Sequence, residues 1–473
     1  MSTAVRAGLF LFFLTVLAHF FYDDLKFSSF FRRNPEANFS AVLRTSYEVT
    51  FFSRQSLQKP VWEVYEIPAG DSTGPHQPVV ITHQTGKTHY SLTFRKNNQV
   101  WFRFTPDQKG RWVFSTGGAI DITGDRPLYA KGFIVPKDGK WARSATGEAF
   151  VPQYVMYDRS DIDGGIQEFV KGHGFTGFHI ANLHDFLENP GYFEAVVLKT
   201  YRAGGTTHFW VWGDAQRGQT PREFDGEVEN LYREIVARLA PLPGWSVGYG
   251  FDLREWAGKQ EVEAFRKQLH AGTSYDHMVG ARGHKNAYQA VSTNLDFFSW
   301  EWHRPDYEDY LDHLKHSGGR PCLSADRFRI RKPSRYPDKD YTEALTLQGL
   351  WDSFLAGGVG NIWGKKGEDG IYSVTYEIKP KIKTFRVFSD RFYNSEMKVR
   401  KPVDNGYKCI GGKSRTICKT PEISHVRWGA GSAPVQVIAV DINRHYEQFV
   451  YPVIGETSLR LPRKSEWAVV FDY

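Results

Sequence analysis

Hydrophobic and polar positions change their period twice along the chain. From about Ser46 to Ile134 they alternate, as in VWEVYEI (61–67), VWFRFTP (100–106) and RWVFST (111–116). Asp107-Gln108-Lys109-Gly110 supplies a turn between the last two runs. A period of two broken by Gly and Pro marks short, half-buried strands, and their spacing predicts a β-sandwich of about 90 residues over 46–134.

From Trp141 the texture becomes apolar runs separated by amphipathic stretches. Strands are expected at FVPQYVMY (150–157), FTGFHIAN (175–182), THFWVWG (207–213), WSVGYGFD (245–252), DHMVGA (276–281), LDFFSWEW (295–302), RPCLSA (320–325) and GVGNIW (358–363). Between them lie helical patterns such as YFEAVVLKTYRAGG and KQEVEAFRKQLHAG, most of which end in Gly, a common helix C-cap. Eight strand-then-helix units predict a (β/α)8 TIM barrel over 141–395. An open doubly wound sheet would prefer a Gly-rich phosphate loop after its first strand, and MYDRSD (156–161) has none. Beyond Lys398 the alternation returns in VQVIAVDI, HYEQFVYPV and EWAVVFDY, predicting a small C-terminal β-sandwich over 398–473.

One apolar run stands apart at the amino terminus, GLFLFFLTVLA (8–18), preceded by Arg6 and followed by Asp23-Asp24. A positive start, a short apolar core and the small-x-small pair Val16 and Ala18 describe a secretory signal over 1–18. An uncleaved membrane anchor is the alternative, because the apolar tone continues through Tyr22, yet 8–22 is shorter than the roughly 20 residues that span a bilayer. Either outcome places the body outside the cytoplasm: secreted, periplasmic or on the cell surface. Cys409 and Cys418 bracket a turn and are expected to form a disulfide, whereas Cys322 reads as a buried small hydrophobe.

Composition sharpens the class. Aromatics make up 15% of the 473 residues, too many for a disordered chain. The 60 Lys and Arg against 53 Asp and Glu give a net charge of +7 without any block of five basic residues. That permits an anionic partner without requiring nucleic acid, and no nucleic-acid partner is expected. Nothing points to a cofactor. His184, Asp185, His284 and His303 carry no metal-ligand spacing, so no metal is expected either.

Active sites of such barrels sit at the C-terminal strand ends. Those positions here are polar and aromatic: Tyr157, His184 and Asp185, Trp212, Glu255 and Trp256, Arg282 and His284, Glu301, Trp302 and His303, Asp326 and Arg327, and Trp363. Recurring acids suit glycosidic cleavage, in which one carboxyl protonates the leaving oxygen and a second attacks or activates water. Trp and Tyr offer flat faces on which sugar rings stack. Glu255 is the candidate acid, beside the desolvating Phe251 and Trp256. Asp326 and Glu301 are the candidates for the second carboxylate. Among the tryptophans, Trp212, Trp302 and Trp363 are expected in the cleft, and Trp210 and Trp300 in packing. Arg282, Lys285, Arg304, Arg327, Arg329, Arg331 and Lys332 gather on the loops after strands five to seven, which suits a polysaccharide bearing carboxylate or sulfate groups.

The stretch VWEVYEI followed by VWFRFTPDQKGRWVFSTGG resembles an immunoglobulin-like module that precedes barrel glycosidases. LYAKGFIVPKDGKWARSATGEAFVPQYVMYDRS and LQGLWDSFLAGGVGNIWG resemble the first and last barrel segments of the apiosidase-like glycoside hydrolases. The resemblance implies an immunoglobulin-like sandwich, a barrel carrying carboxylates after strands four and seven, and a small β-sandwich at the end. It assigns Glu255 in FDLREW as acid and Asp326 in LSADRFR as nucleophile. Arg254 stands where an Asn often precedes the acid, and Asp326 where a Glu is usual. Those departures leave Glu301, or an inverting mechanism, open.

The expected function is therefore a secreted glycoside hydrolase acting on a polysaccharide or oligosaccharide, anionic in character. Two other activities fit the same residues. One is a polysaccharide lyase, with Tyr157, His184 or His284 as base and Arg282 neutralising a uronate. The other is a non-catalytic glycan-binding protein on a barrel scaffold.

Overall fold

The computed structural model describes residues 58–70, 73–158, 160–212, 226–250, 257–284, 294–301, 306–328, 342–364, 377–404, 406–428, 433–454 and 456–473, and for His284 and Asp326–Phe328 the backbone alone. The expected export segment lies outside the described residues. The described part belongs to one compact unit, Glu48–Tyr473.

At its centre is a nearly closed parallel barrel. Its strands are β1 (Gln153–Met156), β2 (Gly177–Ile180), β3 (Thr206–Trp212), β4 (Trp245–Gly250), β5 (Val279–Gly280 and Arg282–His284), β6 (Phe298–Glu301), β7 (Cys322–Phe328) and β8 (Gly360–Trp363). Neighbours pair in sequence order, and β8 returns to β1. All seven residues of β3 are buried, as a strand covered on both faces requires. β5 differs from the continuous strand expected at 276–281. It breaks at Ala281, pairing with β4 through its first part and with β6 through its second. Asp296, just before β6, ties the two sides together: its amide donates to Val279 O at 2.9 Å, and its Oδ2 accepts from Val279 N at 2.9 Å.

The surrounding helices are α1 (Ile162–Gly165, running on as a π-helix over Ile166–His173), α2 (Pro190–Arg202), α3 (Gly226–Leu239), α4 (Lys259–Leu269), α5 (Tyr307–His316), α6 (Glu343–Leu355) and α7 (Lys379–Phe392). Their starts follow local chemistry. Asn189 caps α2 with Pro190 in its first turn, Asp306 and Asp309 form a capping box on α5, and Thr342 caps α6. Gly174 ends the π-helical turn at φ 87°, in the left-handed region that glycine favours.

A three-stranded antiparallel sheet closes the N-terminal mouth of the barrel. Its strands are Ile134–Lys137, Lys140–Arg143 and Ala149–Phe150. Ile134, Trp141 and Phe150 join Tyr154, Trp210, Met278, Phe297, Leu323 and Ile362 in one buried cluster. The Trp141 indole donates to Cys322 O at 2.9 Å, which fixes this floor to the start of β7.

Antiparallel structure flanks the barrel on both sides in sequence. Before it, six strands between Tyr65 and Ile122 form one continuous sheet. The strand Thr88–Lys96 pairs with Pro78–His83 through its first half and with Gln99–Phe104 through its second. Residues from both halves, including Ile81, Phe102, Phe104, Trp112 and Phe114, share a single core, so the sheet folds over on itself. After the barrel, a six-stranded sheet and the pair Ile423–Arg427 with Ser458–Ser465 enclose another core around Trp467 and Phe471. Cys409 and Cys418 face one another in its ladder and form a disulfide.

Buried charges fasten the first sheet to the barrel. Arg103, 0% exposed, donates to Glu66 Oε2 from Nε at 3.1 Å and from Nη2 at 2.9 Å. Its Nη2 also lies 2.8 Å from Glu194 Oε2 on α2, and Glu194 Oε1 accepts from Arg238 Nε of α3 at 2.6 Å. Both guanidinium groups lie over the Phe94 ring, at 4.6 and 4.9 Å. Burial pushes the Glu194 carboxyl up, but Arg103 and Arg238 outweigh it and hold the group below its ordinary value of 4.5.

Removing one member of such a lattice strands a buried charge. Glu194→Gln is expected to lower stability by about 3–5 kcal/mol, read as a lower urea midpoint. Because the folded-state value is depressed, the contribution is complete above about pH 4.5 and lost as pH falls below it. The wild type should therefore lose more stability than Glu194→Gln on acidification below that point. Parallel acid limbs in the two proteins would contradict the assignment.

Candidate active site

Side chains that face into the barrel form a connected column. Tyr154 of β1 and His208 of β3 stack at 5.5 Å, and His208 stacks on His179 of β2 at 5.2 Å. His179 meets the Trp210 ring in a T-shaped contact at 4.1 Å. His208 and Trp210 share a face because they are two residues apart on one strand. His208 Nδ1 lies 3.0 Å from Ser246 Oγ of β4. Burial drives its imidazole down to about 3, so it is neutral at physiological pH.

Trp210 needs space that β4 supplies by lacking a side chain. A Cβ at Gly248 would lie 2.9 Å from Trp210 Cδ1 and 3.3 Å from its Nε1. Gly280 likewise makes room for Phe297, whose ring would lie 2.2 Å from an added Cβ.

The column ends in an ion pair at the C-terminal mouth. Arg282 of β5 places its guanidinium 5.3 Å from the Trp210 ring centroid and donates through Nη2 to Glu301 Oε2 at the end of β6. Both are buried, Arg282 at 4% and Glu301 at 9% exposure. Glu301 shares the interior face of β6 with Phe297 and Ser299, whereas Phe298 and Trp300 pack outward with Tyr310 of α5. The result is a carboxylate fixed by a guanidinium that itself rests on an aromatic face.

A second polar group sits at the rim after β2. His184 Nδ1 bonds Val211 O at 2.8 Å, and its Nε2 lies 3.0 Å from Asp185 Oδ1. Burial lowers the His184 imidazole, but the Asp185 carboxylate more than offsets this and holds it above its ordinary value. The ring stacks on Trp212 at 5.7 Å and 16°. Trp212, only 7% exposed, turns its Nε1 to Tyr232 Oη of α3 at 3.1 Å. Its position differs from the open stacking face expected, because His184 covers one side and α3 holds the other.

Two further expectations are corrected. Trp363 is 0% exposed, donates to Gln153 Oε1 at 2.9 Å and meets Phe175 edge-on, so it lies in the layer between strands and helices. Tyr157 is 4% exposed, stacks on Phe178 at 4.4 Å and donates its hydroxyl to Asp161 O. It supports the turn into α1. Trp300 and Trp210 both pack, as expected, Trp300 outward against α5 and Trp210 in the barrel interior beneath Arg282.

Glu255, Trp256, Trp302 and His303 lie outside the described residues, as do the basic positions Lys285, Arg304, Arg329, Arg331 and Lys332. His284, Asp326 and Arg327 are described by backbone. His284 pairs with Glu301 in the β5–β6 ladder. Asp326 falls in an irregularity of β7: Ser324 pairs with Asn361 and Arg327 with Ile362, so Ala325 and Asp326 are extra residues against β8. Bulges of this kind re-aim side chains beside active sites. His179, His208 and Ser246 belong to the interior column without lying at a strand end or in a motif. The signal for His208 was present in the alternation of His208, Trp210 and Trp212.

Two solved structures share this architecture. A glycoside hydrolase family 5 protein from Bacteroides vulgatus superposes with a TM-score of 0.56 at 11% identity, over 73% of this chain and 93% of its own. A second protein, described as a glycoside hydrolase, gives 0.56 at 12% identity, over 73% and 98%. At such identity the likeness is one of fold, a TIM-like barrel with added β-structure. No family model and no curated protein matches the sequence.

Gly248→Ala tests the packing of the column. The added methyl must displace Trp210 and, with it, the support of Arg282. A loss of about 1–3 kcal/mol is expected, with a shift in tryptophan emission. An unchanged urea midpoint would show that Trp210 does not occupy the space next to Gly248.

Proposed function

We propose that this protein is a glycoside hydrolase that cleaves a polysaccharide by a two-carboxylate mechanism at the C-terminal mouth of its barrel. The observation that carries the proposal is Glu301: a buried carboxylate at the end of β6, held by Arg282 above the Trp210 ring. Barrel glycosidases place their chemistry at this mouth, and two proteins of this fold are described as glycoside hydrolases.

Glu255, after β4, is assigned as the acid that protonates the departing glycosidic oxygen. Glu301 is the second carboxylate, with Asp326 in the β7 bulge as its rival. Ion-paired to Arg282, Glu301 presents oxygens that accept, the form that attacks an anomeric carbon or takes a proton from water. Arg282 thereby acts on the protein's own carboxylate. The remaining basic loop residues, led by Arg327, are assigned to an anionic substrate bearing uronate or sulfate groups. His184 and Asp185 form a rim able to hydrogen-bond sugar hydroxyls.

Export accompanies this function, with 1–18 as the signal. The Cys409–Cys418 disulfide supports an oxidising destination. The first sheet is assigned as the immunoglobulin-like module of the apiosidase-like enzymes.

The test is a panel of neutral, uronate-bearing and sulfated polysaccharides assayed for new reducing ends. Wild type should act on an anionic member. Glu255→Gln and Glu301→Gln should each lose about 10²–10⁴-fold in kcat. Full activity in Glu301→Gln with loss in Asp326→Asn would move the second carboxylate to Asp326. Full activity in Glu255→Gln would remove the assigned acid, and activity confined to neutral glycans would remove the anionic substrate. Products absorbing in the ultraviolet as unsaturated uronates would identify a lyase.

A further inference from the structure

Basic side chains of the C-terminal β-structure differ in their partners. Arg415, Lys419, Lys408 and Arg463 each meet a carboxylate, of Asp472, Glu466, Asp352 and Asp441 in turn. Two arginines of the strand pair Ile423–Arg427 with Ser458–Ser465 do not. Arg427 and Arg460 are exposed, and among the described residues neither takes part in an ion pair. Of the acids near them in sequence, Glu422 faces Lys464 at 3.8 Å, and Glu456 pairs with neither arginine.

The ladder register brings these groups to one face. His425 pairs with Arg460, Val426 with Leu459 and Arg427 with Ser458. Opposed residues of an antiparallel pair share a face, and so do alternate residues of one strand. Val426 is buried in the core around Trp467, and Leu459 packs against that core. The other face therefore carries His425, Arg427, Ser458 and Arg460, all four exposed. Arg427 and Arg460 are diagonal neighbours across the ladder, with their backbones about 7–8 Å apart. Ser424 Oγ lies 3.1 Å from His425 Nδ1 and steadies that ring opposite Arg460.

Two guanidinium groups at that spacing repel each other, and no protein carboxylate offsets the repulsion. The fold gains nothing from the arrangement, whereas a negatively charged chain laid across it does. A single exposed ion pair is worth little, but a polymer offers charge after charge. Once one arginine is engaged, the second contact becomes intramolecular. Both positions are Arg rather than Lys. A guanidinium presents parallel N–H donors to the two oxygens of a carboxylate, which the point charge of an ammonium group does not match. Ser458 and His425 supply hydrogen-bonding groups beside the arginines for sugar hydroxyls.

We propose that the exposed face of this strand pair is a second carbohydrate site, which holds a uronate-bearing polysaccharide through Arg427 and Arg460. The proposal rests on the reading of the substrate as anionic. It gives the C-terminal β-structure a grip on the polymer separate from the barrel mouth, so that the protein stays attached between cleavages.

The test is affinity electrophoresis of the full-length protein in gels containing polygalacturonate, heparin or dextran, each read against a polymer-free gel. Glu301→Gln is the background, so that the polymer is not consumed during the run. Polygalacturonate should retard the protein, less so as salt is added, and dextran should not. Adding Arg427→Gln with Arg460→Gln should weaken the polygalacturonate interaction at least about fivefold, through the loss of two exposed charge contacts. Lys398→Gln with Lys401→Gln removes the same charge from exposed positions elsewhere in the C-terminal structure and should change it less than about twofold. Equal weakening in the two double variants would reduce the effect to net charge and overturn the proposal. Retardation by heparin alone, or undiminished affinity in the arginine variant, would overturn it too. Reducing ends released by the wild type are scored separately. Cleavage of polygalacturonate with undiminished binding in the arginine variant sinks the second site alone. Binding that depends on the two arginines, without cleavage of any glycan, upholds the second site and sinks the hydrolase reading.

Discussion

An eight-stranded barrel has an interior wide enough for side chains and little else. That constraint governs most of what the described structure contains. Aromatic and aliphatic groups fill the lower levels, with Trp141 sealing the floor from outside the strands. Glycines appear where a neighbouring ring claims the space, as Gly248 does for Trp210 and Gly280 for Phe297. Every polar group admitted must then find a partner within the barrel or carry a penalty. His208 finds Ser246, and Arg282 finds Glu301. The ion pair is thus positioned by packing from below, through a continuous column of rings, before any substrate arrives.

The flanking modules bear on this arrangement from outside. Glu194 and Arg238 belong to the helices that cover β2 to β4, and Arg103 of the first sheet reaches both helices. Two carboxylates face two guanidinium groups there, with Lys96 adding a bond to Glu66 at 2.7 Å. Such a lattice adds little net stability compared with apolar packing, yet it fixes geometry, because any displaced member leaves a buried charge. At the other side, Lys408 of the C-terminal sheet bonds the buried Asp352 of α6 at 2.7 Å. Both contacts tie a flanking β-domain to helices of the barrel.

Much of the fold was legible in the sequence because the periods are strong. The barrel strands begin on, or within one residue of, the apolar runs that announced them, although the second part of β5, Arg282–His284, and the end of β7, Asp326–Phe328, lie beyond those runs; the alternation in VWEVYEI and VWFRFTP marked two strands of the first sheet. The break in β5 was not legible: it arises from closure, where one strand must serve two neighbours, and nothing local in DHMVGA encodes that. Facing was the harder problem. Trp363 was expected in the cleft, but it shares parity with Asn361, which bonds Gln153 in the outer layer, and a shift of one residue exchanges the two faces. Tyr157 failed for a related reason, since it follows Val155 on the outward face of β1. Trp212 shares parity with the interior Trp210, yet at the strand end it leaves the barrel to lie beneath His184. Pairing of Arg282 with Glu301 depends on the β5–β6 register, which no spacing in the sequence reveals.

The central claim is that water cleaves a glycosidic bond at this mouth. It is tested most directly by digesting the anionic polysaccharide in water enriched in heavy oxygen and reading the products by mass spectrometry. Hydrolysis predicts one heavy oxygen in each new reducing end, with saturated sugars throughout. Unsaturated products without the label, or no cleavage of any glycan to which the protein binds, would contradict the account.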